Sequence, residues 1–242
     1  MRPDTFPRLV IFDWDGTLMD SEHHIVACLH AAMDDLGLER LPAERVRGII
    51  GLGLREAVEG LFPGRGADDA FVDRFVAAYR SHFFDPAAGS SLFEGAREVV
   101  EQLHGEGFLL AVATGKSRRG LEMALDQTGL RSAFHVTRCA DESRSKPHPQ
   151  MLCEILDEVG VAAAEAVMVG DTEFDLAMAV AAGVGGIGVS YGVHEVERLK
   201  RHRPLALIHQ IRELPHVLMA LPKETAGMEP AMENKKARVI HE

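Results

Sequence analysis

The chain has 242 residues, enough for one large domain or two small ones with a substantial core. Its net charge of -11 argues against non-specific binding to nucleic acid or to an anionic membrane, because a phosphate-rich surface attracts a basic face. The three cysteines form no Cys-x-x-Cys pair, so neither a disulfide framework nor a zinc site is indicated. With no signal peptide visible and no apolar run long enough to span a bilayer, we expect a cytoplasmic protein.

The first predicted element is a buried strand that ends at Asp13. The apolar run before it is too short for a helix and is rich in strand-forming residues. Asp13 and Asp15 place two carboxylates one residue apart where strand becomes loop, and Gly16 lets the backbone turn. Ligands bind at the carboxyl ends of strands in an open α/β sheet, and oxygen ligands suit Mg²⁺. A calcium loop or a plain acidic turn uses the same residues, so this motif alone leaves all three open.

Residues 19–85 are predicted to be helical, without a strand. Apolar residues recur at helical spacing over 21–36, over 43–61 with a break at 51–53, and over about 68–84. One apolar stripe of the last helix consists of Val72, Val76, Tyr79 and Phe83.

Beyond residue 86, predicted strands and helices alternate. The strands are expected at 108–113, 134–139, 166–169, 186–189 and 205–208. The helices are expected at 96–103, 117–128, 150–159 and 174–182. This alternation implies an α/β fold with a parallel sheet and right-handed crossovers, in which the helical block is an insertion after the first strand. The polar residues 222–242 are expected to be disordered.

Polar groups follow several of these strands at what becomes a single sheet edge. They are Asp13, Asp15, Thr114, Lys146, Asp171 and Asp175. Each has an ordinary explanation alone: a hydroxyl can cap a helix, a lysine is usually solvated, and a carboxylate suits a first helical turn. Together they supply carboxylates, a hydroxyl and one ammonium, the groups that hold a divalent cation and a phosphoryl group.

Four motifs in this order resemble those of the haloacid dehalogenase-like superfamily. They are FDWDGTL at 12–18, ATG at 113–115, SKPHP at 145–149 and VGDTEFD at 169–175. The insertion resembles the cap of the phosphoglycolate phosphatase-like and β-phosphoglucomutase-like branch, and residues 46–54 resemble the former more closely. The resemblance implies a Rossmann-like parallel sheet core, residues 1–18 and 86–221, with an inserted all-helical cap domain, residues 19–85.

The resemblance also implies roles for the site residues. The chain would be a Mg²⁺-dependent phosphatase of small phosphorylated metabolites such as phosphoglycolate, with Asp13 as the nucleophile and Asp15 as the general acid and base. Asp13, Asp15 through its backbone carbonyl, and Asp171 would hold Mg²⁺, with Asp175 behind them. The implied phosphate-binding residues are Thr114, Gly115 and Lys146. The carboxyl group of Asp15 favours phosphate chemistry over dehalogenation, because a leaving halide needs no proton.

The cap would close over this site on hinges near 18–21 and 85–88. Arg47 or Arg55 could bind an anionic group of the substrate, although two solvated arginines explain these positions equally well. Lys116 is a weaker candidate of the same kind. Two further activities stay open: a sugar-phosphate mutase that uses the same aspartyl-phosphate, and a signalling module that keeps its phosphate. A receiver module of that second kind is about half this length and has no helical insertion.

Overall fold

Residues 7–84 and 89–221 are described by the computed structural model of the chain. The strands are β1 (Leu9–Phe12), β2 (Met19–Asp20), β3 (Ser91–Leu92), β4 (Leu109–Thr114), β5 (Val136–Cys139), β6 (Ala166–Gly170), β7 (Gly185–Val189) and β8 (Ala206–Ile208). The helices are α1 (Glu22–Asp35), α2 (Ala43–Arg47), α3 (Leu54–Leu61), α4 (Asp69–Phe83), α5 (Ala96–Gly105), α6 (Arg118–Thr128), α7 (Gln150–Val159), α8 (Glu173–Ala182), α9 (Val196–Lys200) and α10 (Leu214–Ala220).

The main sheet is parallel, and β1 lies at its centre. Within the described residues its order is β5-β4-β1-β6-β7-β8. All four residues of β1 are fully buried, as expected for a parallel strand with helices on both faces. Val10 and Phe12 face a core formed with α5, α6 and α10, whereas Leu9 and Ile11 face one formed with α7 and α8. Because β4 and β6 flank β1 in parallel, the residues that follow these three strands meet at one edge.

The helices α1–α4 form the cap and have an apolar core of their own. Helices α1 and α4 pack side by side, and the core between the cap helices includes Leu29, Phe71 and Phe75. The ring of Phe62 meets both phenylalanines edge to face, with centroids 5.5 Å apart in each case. The predicted α/β fold, with its parallel Rossmann-like sheet and helical insertion, is confirmed.

The structure differs from the sequence prediction at several places. Met19–Asp20 forms a short strand, β2, antiparallel to Ser91–Leu92, so the prediction that residues 19–85 contain no strand is wrong at the first two of them. A strand of two residues has no periodicity to detect, and its pairing joins the two chain segments that connect cap and core. The break in the second helical region is also wider than predicted, from Gly48 to Gly53.

Some predictions lie beyond what the structure tests. Residues 85–88, a predicted hinge, and 222–242, the predicted disordered tail, lie outside the described residues. The exact domain boundaries stay predictions. Among the described helices, none combines the length and apolar character needed to cross a membrane.

Candidate active site

The chain turns sharply directly after β1, and this turn presents Asp13 and Asp15. The Asp13 N–H donates to the Val169 carbonyl at 2.9 Å, which extends the β1–β6 ladder by one bond. Gly16 has a φ of +81°, and a Cβ built on it would lie 2.2 Å from Asp171 Oδ2. A side chain at position 16 would therefore be strained and would collide with the carboxylate of Asp171.

Lys146 bridges two buried carboxylates. Its Nζ lies 2.7 Å from Asp13 Oδ1 and 2.6 Å from Asp175 Oδ1, and all three side chains are excluded from solvent. Burial lowers the Lys146 pKa, but the two carboxylates outweigh it, so the net pKa shift is upward and the ammonium stays charged. The other Asp175 oxygen accepts bonds from the Thr172 N–H and hydroxyl at the start of α8. Asp175 is thus occupied in fixing Lys146 and the helix start.

Asp13, Asp171 and Asp175 each offer a carboxylate oxygen, and these oxygens lie within 4.8 Å of one another. Asp171 is held by the Thr17 hydroxyl at 2.9 Å and the Val193 N–H at 2.8 Å. The second oxygen of Asp13, Oδ2, is buried and has no hydrogen-bond partner among the described residues. Three clustered, buried carboxylates carry more negative charge than the ammonium of Lys146 neutralises, and such a cluster of oxygen donors fits a hard divalent cation.

Burial raises the pKa of both Asp13 and Asp171. For Asp13, the ammonium of Lys146 opposes the effect of burial but does not cancel it. For Asp171, burial and then the neighbouring Asp175 raise the pKa from 3.8 to about 7. Without a cation, the folded state therefore binds protons more tightly here than the unfolded chain does.

Metal-free protein is expected to lose stability as the pH rises from about 4 towards 7. Over this range the folded state holds more protons than the unfolded chain, so the free energy of unfolding falls with pH. Chemical denaturation in EDTA at a series of pH values measures this slope. Asp171→Asn removes one of the titrating groups and should flatten it, and an unchanged slope in this variant would contradict the assignment to Asp171.

Asp15 is held by two side chains from different parts of the chain. The Ser21 hydroxyl donates to its Oδ1 at 2.6 Å, and Lys116 Nζ lies 2.9 Å from both carboxylate oxygens. The same ammonium sits 4.7 Å from the centroid of the Phe83 ring in the cap. These contacts fix the Asp15 carboxylate beside Asp13 and link it to the cap helix α4.

The cap loop between α2 and α3 lies directly against the core. A Cβ at Gly115 would lie 2.5 Å from the Leu52 carbonyl oxygen, so only glycine allows this approach. The Gly53 N–H donates to the Ser145 hydroxyl at 2.7 Å. Thr114 is fully buried at the end of β4, and its hydroxyl accepts from the Lys116 N–H at 3.2 Å. Together these contacts enclose a cavity above Asp13 and Asp15.

Comparison with known proteins identifies the family. The model of the haloacid dehalogenase-like hydrolases matches residues 10–189. The chain belongs to the haloacid dehalogenase-like hydrolase family. Among curated relatives, it is 36% identical over 219 residues to Probable phosphatase IndB of Dickeya dadantii (strain 3937), covering 89% of this chain and 95% of that one. It is 32% identical over 218 residues to Phosphoglycolate phosphatase of Pseudomonas fluorescens (strain Pf0-1), covering 88% and 80%.

Solved structures share the fold. A predicted phosphoglycolate phosphatase from Haemophilus somnus 129PT superposes with a TM-score of 0.78 at 22% identity and covers 87% of this chain and 97% of that one. A hydrolase from Pseudomonas syringae gives a TM-score of 0.78 at 23% identity, covering 86% and 96%. The predicted membership of this family, its phosphatase-like branch and its class as an enzyme are confirmed by the family model and the curated relatives.

Most of the predicted site residues come together around one cavity, but of the two cap arginines only Arg55 lines it. Asp13, Asp15, Thr114 and Gly115 line one cavity. Lys146, Asp171 and Asp175 lie directly beneath it, in contact with Asp13 or close to it. Arg55 also lines the cavity but is ion-paired with Asp69 at 2.8 Å. Arg47 does not line it, and its Nε lies 2.6 Å from Glu22.

Sequence reasoning missed the groups that hold the carboxylates in place. Thr17 and Ser21 were given no bonding role, and Lys116 was only a weak candidate for binding substrate. Thr17 lies inside the first motif and Ser21 directly precedes α1, so their positions close to Asp15 in sequence were a usable signal. Lys116 follows Thr114 by two residues, and its position after a strand end was the corresponding signal for contact with Asp15.

Proposed function

We propose that the chain is a Mg²⁺-dependent phosphatase that hydrolyses small phosphomonoesters through an aspartyl-phosphate on Asp13. The observation that carries the proposal is the buried Oδ2 of Asp13, which has no hydrogen-bond partner among the described residues. The other oxygen of Asp13 is fixed by Lys146, and Asp13 lines the same cavity as Asp15. A free carboxylate oxygen in a fixed orientation is suited to in-line attack on phosphorus. Phosphoglycolate is the reference ester, because several curated relatives are named for it.

The reaction proceeds in two steps. Asp13 Oδ2 attacks phosphorus and the bond from phosphorus to the ester oxygen breaks, while Asp15 gives that oxygen a proton. Water then attacks the phosphorus of the aspartyl-phosphate while Asp15 takes a proton from that water. The bond from phosphorus to Asp13 Oδ2 breaks, and inorganic phosphate leaves. Lys146 and the backbone N–H groups after Thr114 neutralise the equatorial phosphoryl oxygens. Ser21 and Lys116 keep the Asp15 carboxyl group on the side of the cavity where the leaving oxygen must lie.

The carboxylates of Asp13 and Asp171, with the backbone carbonyl of Asp15, would hold the cation. Asp175 would not bind the cation directly, since its two carboxylate oxygens already bind Lys146 and Thr172. It would act by fixing Lys146. When bound, Mg²⁺ neutralises charge on the phosphoryl group and on the clustered carboxylates.

The direct test is phosphate release from a panel of phosphomonoesters with Mg²⁺ and with EDTA. We expect release with Mg²⁺, and none above background with EDTA. Metal-independent release, or none from any ester, would contradict the proposal. Isomerisation of a hexose phosphate that starts only with a sugar bisphosphate would indicate the mutase, and a phosphoprotein stable for hours would indicate the phosphoacceptor module.

Asp171→Ala is expected to raise the Mg²⁺ concentration needed for half-maximal activity by on the order of 10-fold or more, because it removes one of the proposed ligands. A Mg²⁺ titration of phosphate release measures this change. Glu165→Ala is the matched control, since this carboxylate pairs with Arg8 at the opposite end of the strands. A titration curve identical to that of wild type would contradict the ligand assignment.

A further inference from the structure

The cavity above Asp13 and Asp15 is larger than a small phosphate ester needs. Its volume is about 400 Å³, within the range of pockets that enclose drug-sized ligands. Core residues that follow β1 and β4 form its floor, and the cap helices α1, α3 and α4 form its walls. Phosphoglycolate has only a carboxymethyl group beyond its phosphate, so most of this volume would stay filled with water. We call this space the cap chamber.

The walls of the cap chamber are mainly apolar. Branched side chains of α1, the loop after α2, and α4 contribute, including Ile25, Leu29, Ile49, Leu52, Val72 and Val76. Three aromatic side chains of α4 and its end, Tyr79, Phe83 and Phe84, complete the wall. The rings of Tyr79 and Phe83 stack with centroids 5.4 Å apart and planes inclined by 24°. Burial, with Asp15 and Cys28 nearby, raises the Tyr79 pKa, so the phenol stays neutral.

Charge in the cap chamber does not favour an extra anionic group. Of the cationic side chains that line it, Lys116 is ion-paired with Asp15 and Arg55 with Asp69 and Asp73, while Arg80 is exposed to solvent. The carboxylates of Glu56, Asp73 and Asp141 line it as well; like Arg80 they are exposed, and Asp73 is a partner of Arg55. A substrate carboxylate would lose water against apolar walls and would meet these like charges. An apolar group would instead replace water along the same walls.

We propose that the substrate is a phosphomonoester whose alcohol carries an apolar group at least as large as an aromatic ring, which occupies the cap chamber while the phosphate lies at Asp13. This inference rests on the proposed phosphatase function, and it replaces phosphoglycolate with a bulkier ester as the preferred substrate. Tyr79, Phe83 and Phe84 form the aromatic part of the wall against which this group packs.

The first experiment compares kcat/KM for benzyl phosphate, cyclohexylmethyl phosphate and phosphoglycolate with Mg²⁺ present. We expect both ring esters to exceed phosphoglycolate by about 10-fold or more, since burying even one methylene group can discriminate at that level. Equal values, or a preference for phosphoglycolate, would overturn the inference and leave the phosphatase function intact.

Variants of the chamber wall test whether the preference for ring esters comes from this wall. Phe84→Ala is expected to lower kcat/KM for benzyl phosphate by about 10-fold and to change kcat/KM for phosphoglycolate less than about 3-fold, because only the larger group reaches the wall. Phe84→Leu keeps apolar bulk, so its kcat/KM for benzyl phosphate should lie between those of wild type and Phe84→Ala, and it replaces the alanine variant if that variant does not fold. Phe62→Ala is the matched control, because this ring packs inside the cap and does not line the chamber. Equal losses on both esters with Phe84→Ala would contradict the proposal.

A binding measurement separates the two proposals. Calorimetric titration of the Asp13→Asn variant with benzyl phosphate and with phosphoglycolate needs no turnover. Tighter binding of the benzyl ester would support the inference even if the wild-type protein hydrolyses no ester. Such an absence of hydrolysis would contradict only the proposed phosphatase function. Tighter binding of phosphoglycolate would overturn the inference even if every ester is hydrolysed.

Discussion

Asp13→Asn is expected to lower kcat for phosphomonoester hydrolysis by on the order of 10⁴-fold or more, because an amide oxygen at this position cannot form the aspartyl-phosphate. The change is nearly isosteric, so the turn after β1 and its bond to the Val169 carbonyl should persist. Phosphate release under saturating Mg²⁺ measures the loss. Residual activity within about 10-fold of wild type would contradict Asp13 as nucleophile.

The stability of the same variant tests the electrostatic description of the site. In metal-free protein, burial and the neighbouring Asp171 and Asp175 disfavour ionised Asp13. Its loss leaves Lys146 paired with Asp175 at 2.6 Å. The free energy of unfolding of Asp13→Asn in EDTA should therefore equal or exceed that of wild type at pH 8. A large loss of stability would mean that Asp13 is needed for folding, and its inactivity could then not be assigned to chemistry.

The sheet edge was predictable because parallel strands impose it. Strands β1, β4 and β6 are neighbours that run in one direction, so residues directly after them must meet. That geometry alone brings together Asp13, Thr114 and Asp171. The strand bounds themselves were close to prediction, since each strand is a short apolar run bounded by turn residues.

Contacts made by loops were not predictable in the same way. Lys146 lies within the loop between β5 and α7 and not directly at a strand end, so no periodicity predicts that its ammonium reaches both Asp13 and Asp175. The chemistry of the motif implied a cation near the phosphate, but the double contact depends on the path of the loop. Ser21 occupies the N-cap position of α1, but its hydroxyl makes no capping bond and donates to Asp15 instead. The buried carboxylate of Asp15 needs a hydrogen-bond donor, and Ser21 supplies it instead of capping the helix.

The side chains that line the cap chamber were not predictable from the sequence either. The apolar stripe of α4 that contains Val76, Tyr79 and Phe83 was visible in the sequence. Helical periodicity does not predict whether such a stripe packs inside the cap or faces the core. Helix α4 buries Phe71 and Phe75 inside the cap and turns its adjacent stripe, which begins at Val72, towards the site. Only the docking of cap on core, through contacts such as that of Gly53 with Ser145, decides this orientation. Substrate preference is thus encoded in the arrangement of two units and not in either alone.

Lys146→Met is expected to destabilise the protein by about 3–5 kcal/mol at pH 8, because it leaves two buried carboxylates without their common partner. The loss should shrink at pH 5, since Asp13 and Asp171 already have raised pKa values and the folded state can take up protons there. Mg²⁺ should restore part of the stability by supplying positive charge to the same carboxylates. Denaturation curves at both pH values, with and without Mg²⁺, measure all three effects.

Activity of this variant should not recover with stability. Even with saturating Mg²⁺, we expect Lys146→Met to lose on the order of 10²–10³-fold in kcat, as for removal of one fixed donor to a developing negative charge. Lys116→Met is the matched comparison: it removes the same charge from a slightly more exposed pair with Asp15, so it should cost less stability. If Lys146→Met unfolded like wild type at every pH, the buried carboxylates would not depend on this ammonium, and its position between Asp13 and Asp175 would need another explanation.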